Sequence, residues 1–126
     1  MIETGKSATQ RIAVDDHRAI SFMGPELRVY STPSILADIE MACRNLLLTM
    51  LDAGQDSVGY RVELEHLDAV PFGGQAEITV AIIGIEKRRI SFEATVTSAG
   101  RRIATARHKR AVISVADLKA RIANLN

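Results

Sequence analysis

One long amphipathic segment, TPSILADIEMACRNLL at residues 32–47, constrains the architecture of this chain more than any other feature. Leu36, Ile39, Cys43, Leu47 and Met50 fall on an apolar side, and Asp38, Asn45 and Thr49 share the polar side. Thr32 is a good N-cap and Pro33 suits the first helical position. The helix is expected to run to about Leu51 and to stop at Gly54. A single helix cannot bury its own stripe, so another layer must cover it. Nearly all of the remaining pattern is strand-like. ATQRIAV (8–14) can form a first strand. VGYRVELEH (58–66) alternates, with Tyr60, Val62, Leu64 and His66 on one face and Arg61, Glu63 and Glu65 on the other. AEITVAIIGI (76–85) is apolar on both faces and reads as an interior strand. RRISFEATVTS alternates Ile90, Phe92, Ala94 and Val96 with Ser91, Glu93, Thr95 and Thr97, and Ala99-Gly100 closes a hairpin into RRIATARHKRAVISV. ADLKARIANL is a short terminal helix. The expected order is strand, long helix, then four strands joined by tight turns. That is an α+β layout in which a curved antiparallel sheet wraps a central helix.

The length of 126 residues and a hydrophobic fraction of 47% fit a single domain spanning residues 1–126 with a real core. Lysine and arginine total 16 against 15 acids, which leaves no electrostatic footprint for nucleic acid or a membrane surface. Cys43 is the only cysteine, so no internal disulfide can form and a reducing compartment is expected. MIETGKSATQ has no apolar centre and does not read as a signal peptide, and the helix carries Asp38, Glu40 and Arg44, too many charges for a membrane span. A soluble cytoplasmic protein is the expectation.

Glu40 breaks the helix pattern. At roughly 100° per residue it lies about 40° from Leu36 and about 20° from Leu47, inside or at the edge of the apolar arc. A buried carboxylate needs a partner. Arg44, four residues on, offers an ordinary helix-surface pair. His66 offers another answer: it ends an apolar strand face just before the Pro/Gly-rich turn HLDAVPFGG. A carboxylate and an imidazole on facing layers suit acid–base chemistry, although a structural histidine would also fit there. The N-cap role of Thr32 explains it alone, yet a hydroxyl beside first-turn amides also suits a developing oxyanion. His17 and His108 are read as solvated or structural, and Cys43 as a small core residue. No cluster has metal-ligand spacing. Lys87, Arg88 and Arg89, with Arg101 and Arg102, are solvated hairpin flanks or contacts to the phosphates of an anionic carrier.

Thr32, Glu40 and His66, in VYSTPSILADIEMAC and HLDAVPFGG, resemble the fluoroacetyl-CoA thioesterase family of hotdog-fold enzymes in residue type and spacing. The likeness runs from about Val29 to Val115 and takes in SVG before the second strand and the ending RHKRAVI. It implies a hotdog fold with five or six antiparallel strands around the helix. It also implies hydrolysis of a short or medium acyl-CoA without a metal or redox cofactor. Glu40 would act as nucleophile or general base, and His66 would activate water or protonate the leaving thiolate. Thr32 would orient Glu40 or donate to the oxyanion, and Gly59 and Arg110 match positions near the thioester. The family's active site lies between subunits, so at least a homodimer is expected. The connection from Asp15 to Ser31 is polar, and Phe22 and Met23 are its candidate acyl contacts. A module that binds acyl-CoA or another small ligand without turnover, and a hydratase or dehydratase on the same fold, are the alternative functions.

Overall fold

The computed structural model describes residues 1–125. Its elements are β1 (Ser7–Ala13), a 3-10 turn at Pro25–Leu27, α1 (Thr32–Leu48), β2 (Gln55–His66), β3 (Gln75–Glu86), β4 (Arg89–Ser98), β5 (Arg101–Ser114) and α2 (Val115–Ala123).

The N-cap of α1 is Ser31, not Thr32: the Ser31 hydroxyl accepts from the Ser34 amide at 3.1 Å. Thr32 is thereby the first helical residue, and its hydroxyl is free for another partner. The helix also ends earlier than its pattern suggests. The Thr49 hydroxyl and amide both donate to the Leu46 carbonyl, at 2.7 and 3.2 Å, and the Met50 amide donates to the Leu47 carbonyl at 2.9 Å, so the last turn closes there. Ile35, Ile39, Ala42, Cys43, Leu46 and Leu47 are buried against the sheet. Asp38 is buried with them and does not belong to the polar side, because Arg18 grips it through two nitrogens at 2.8 and 3.0 Å and the Tyr30 hydroxyl donates to it. Burial, followed by the neighbouring Asp38 carboxylate, drives the Tyr30 pKa far above that of an ordinary phenol.

The sheet has five antiparallel strands in the order β1-β3-β4-β5-β2. β3 is an interior strand, as its composition suggests, yet only one of its faces is covered: Ala76, Ile78, Val80 and Ile82 are buried and Ile83 is exposed. The β3–β4 and β4–β5 connections are tight, with positive φ at Lys87, Ala99 and Gly100. The β2–β3 connection is not a hairpin. β2 pairs with β5 at the far edge, and residues 67–74 return across the domain to β3. That segment is tied down by its backbone: Tyr30 N–H donates to Val70 O at 2.8 Å and Phe72 N–H to Arg28 O at 2.9 Å, with Val70 fully buried between them.

A bulge in β2 decides which side chains face the helix. Ser57 pairs with Val112 and Gly59 with Arg110, and both partners are buried on the inner face. The register then shifts, so that Val62, Leu64 and His66 stand opposite His108, Ala106 and Ala104. Without the extra residue Glu65 would face inward and His66 outward. Tyr60 therefore leaves the inward set expected from simple alternation. It lies on the outer face under the Arg89 guanidinium, 5.3 Å from its ring centroid. Among the described residues no helix is long and apolar enough to cross a membrane.

Candidate functional site

The helix and the inner face of the sheet meet at Glu40. Its Oε2 lies 3.3 Å from Arg110 Nη1 and 3.8 Å from His108 Nε2. Its side chain keeps 37% of its exposure, and among the described residues no donor reaches Oε1. Arg44 does not hold Glu40: it turns to β2 and makes a two-pronged contact with Asp56 at 2.9 and 2.6 Å. That contact lowers the pKa of Asp56. The misplaced carboxylate thus faces the sheet because β5 carries a buried guanidinium, a partner the helix sequence cannot show.

Arg110 is 5% exposed and engaged through all three of its nitrogens. Nε and Nη2 donate to the Ser57 hydroxyl at 2.7 Å and the Ser57 carbonyl at 2.8 Å, while Nη1 serves Glu40 and, at 3.1 Å, His108 Nε2. Burial draws its pKa down and Glu40 pushes it back up; a guanidinium stays charged throughout. Gly59 lies across from Arg110 on β2. A Cβ at this glycine would sit 2.5 Å from Glu40 Oε2 and 2.7 Å from His108 Cε1, so the missing side chain is the space the carboxylate occupies.

Thr32 and His66 form a second pair. The first-turn hydroxyl of α1 lies 2.7 Å from Nδ1 of the histidine that ends β2. This contact exists because Ser31 has taken over capping and because the bulge has turned His66 inward. The three residues of the threonine–glutamate–histidine pattern therefore do not meet at one point within the chain. Thr32 and Glu40 are eight residues apart on α1, roughly 12 Å along the helix axis. Gly59 and His66 are seven apart on β2, roughly 20 Å along the strand.

Phe22 and Met23 lie in the connection before α1, exposed to 80% and 52%. His17 is exposed, whereas Cys43 is buried, and burial pushes its thiol up to about 12. His108, which the sequence leaves as solvated or structural, is buried. It is 2% exposed, and burial is the main cause of its lowered pKa; the Arg61 carbonyl opposes this, Arg110 adds to it and Glu40 opposes it again. The available signal was its place in the inward series Ala104, Ala106, His108, Arg110 and Val112 of β5. Among the described residues no three histidines, cysteines, aspartates or glutamates converge to hold a metal. The broad depression on the outer face, lined in part by Glu63, Glu65, Glu93 and Arg107, shares no residue with either pair.

A hot-dog-like protein from Thermanaerovibrio acidaminovorans superposes with a TM-score of 0.88 at 22% identity, over 96% of this chain and 90% of that one. The solved fluoroacetyl-CoA thioesterase superposes with a TM-score of 0.89 at 23% identity, over 100% of this chain and 98% of that one. The fold is the hotdog fold. In sequence, the fluoroacetyl-CoA thioesterase of Streptantibioticus cattleyicolor is 24% identical over 128 aligned residues, 96% of this chain and 92% of that protein. Residues 14–116 match the fluoroacetyl-CoA-specific thioesterase family, and the chain belongs to that family of thioester hydrolases.

Proposed function

We propose that this protein hydrolyses short or medium acyl-CoA thioesters, with Glu40, His66 and Thr32 as its reacting and orienting groups. The observation that carries the reading is the state of Glu40: Oε2 is fixed by Arg110 against Gly59, while Oε1 is unengaged. An oriented carboxylate with one open oxygen can attack the thioester carbonyl or take a proton from a water that does so. The carbon–sulfur bond then breaks, and the thiolate needs a proton; where Glu40 itself attacks, water cleaves the resulting mixed anhydride in a second step. His66 suits that task. If the Thr32 hydroxyl donates to Nδ1, Nε2 bears the proton to be given; with the roles reversed, Nε2 is a base for water. Gly59 and Arg110 would stand beside the thioester, Arg110 holding Glu40 through Nη1. Phe22 and Met23 are the proposed acyl contacts.

The separation of the two pairs supports a site completed by a second copy, in which one protomer's Glu40 works with the partner's Thr32 and His66. β2 is an edge strand with Val58, Tyr60 and Val62 exposed, which suits antiparallel pairing with its own copy.

The test is Glu40→Gln, which keeps the shape and removes the charge. Thiol release from a panel of acyl-CoAs should fall by about two orders of magnitude or more. A folded variant that still hydrolyses at near the parent rate would refute the mechanism and leave Glu40 a structural partner of Arg110.

A further inference from the structure

We propose that His108 is a positioning residue that aims Glu40 by holding the Arg110 guanidinium through its bare Nε2. The inference rests on the reading of Glu40 as the reacting carboxylate. The geometry is closed at every contact. His108 Nδ1 lies 2.9 Å from the Arg61 carbonyl, which can only accept, so Nδ1 carries the proton. Nε2 is then a lone pair, and Arg110 Nη1 donates to it at 3.1 Å. The same Nη1 reaches Glu40 Oε2. The ring lies stacked beside Phe92, with centroids 6.3 Å apart and planes 28° from parallel, which fixes its orientation.

The charged groups around the ring are Glu40 on α1 and Arg110 on β5; β2 presents the Arg61 carbonyl and β4 the apolar face of Phe92. The β2 bulge places that carbonyl, because Arg61 is the residue at which the register shifts. A neutral ring with this tautomer attracts the guanidinium edge. A protonated ring would present N–H to it and repel it. At 2% exposure His108 cannot touch substrate, so its influence on the reaction passes through Arg110.

The experiment combines a direct view of the ring with a double-mutant cycle. Nitrogen-15 NMR of the whole protein at neutral pH should show a histidine ring with a protonated Nδ1 and a bare Nε2 that disappears in His108→Gln. A protonated Nε2 at His108 would overturn the proposal. In kinetics, His108→Leu should lower kcat about 10- to 100-fold with little change in KM, the size expected when a reacting group is misplaced by about an ångström. His108→Gln, whose amide can both donate to the carbonyl and accept from Arg110, should recover most of the loss and guards against a Leu variant that does not fold. Adding His108→Leu to Glu40→Gln should cost nothing further, because the group being aimed is gone. Multiplicative losses, or parent-like kcat in a folded His108→Leu protein, would refute the positioning role. Full activity of Glu40→Gln alone would instead refute the underlying assignment of Glu40, and with it any effect of His108 through that carboxylate.

Discussion

A methyl group added at residue 59 would fall 2.5 Å from the Glu40 carboxylate and 2.7 Å from the His108 ring. Of these two neighbours the carboxylate is the end of a flexible chain and the ring is held at both nitrogens. Glu40 can swing away, but the ring cannot move without loosening its contacts to the Arg61 carbonyl and Arg110. Gly59→Ala should therefore lower the melting temperature and lose about 10- to 100-fold in kcat, as expected for a displaced reacting group. Parent-like turnover in that variant would show that the fit of Glu40 against Gly59 has no kinetic consequence. At this scale the sequence revealed the anomaly but not its resolution. Glu40 is visibly out of place in its apolar arc, and the residue family around it could be recognised. Its partner on β5 is 70 positions away in the chain, a distance that no local pattern spans. His108 was harder still, since one histidine in an alternating strand looks the same whether it fills space or aims a neighbour. Asp38 shows the reverse error: its position on the wheel suggests solvent, but Arg18 and Tyr30 from the preceding connection bring it inside.

At the level of elements, the start of α1 and the bulge of β2 cooperate. Ser31 caps the helix, and this frees Thr32 for His66; the bulge turns His66 to meet it. Adjacent hydroxyl residues are ambiguous as caps, because either can begin the first turn, and only the backbone of Ser31 in the extended region settles the choice. Ser31→Ala should cost about 1 kcal/mol of stability, as is typical for a lost cap. Chemical denaturation would measure it. An unchanged midpoint would show that the Ser31 hydroxyl is dispensable and that the first turn is held by other contacts. The strands themselves were legible because alternation and turn residues agree, and the buried faces of β4 and β5 follow that alternation. The bulge was not legible. One extra residue changes the inward set from one parity to the other, and the apolar Val62 and Leu64 look correct in either reading of what precedes them.

The whole molecule leaves β2 at an edge and Glu40 partly open, and both facts bear on assembly and selectivity. The order β1-β3-β4-β5-β2 could not be read from the sequence of turns, since the β2–β3 connection contains the same proline and glycine residues as a hairpin but is bound to the connection before α1. Sedimentation at micromolar concentration should find at least a dimer; a monomer would remove the means of joining Glu40 to a second copy's Thr32 and His66. Selectivity follows from the connection between β1 and α1. Arg28 bolts it together by donating to the Ala19 and Ile20 carbonyls and to both the carboxylate and the carbonyl of Asp16, and its guanidinium lies 4.6 Å from the Phe72 ring centroid. Arg18 fastens the same segment to Asp38 and Asp15. The result is a fixed arch whose largest apolar side chains, Phe22 and Met23, stand in the open, and not a closed apolar lid. Discriminating fluorine from hydrogen on an acetyl group needs an enclosing pocket, because even a whole methylene is worth only about 1–3 kcal/mol to a binding site. The ratio of kcat/KM for fluoroacetyl-CoA to that for acetyl-CoA at one pH should therefore stay below about 200, the upper end of that energy range. A ratio of many thousands would mean that the assembled protein encloses the acyl group in a way the arch of a single chain does not, and fluoroacetyl-CoA would then be its substrate.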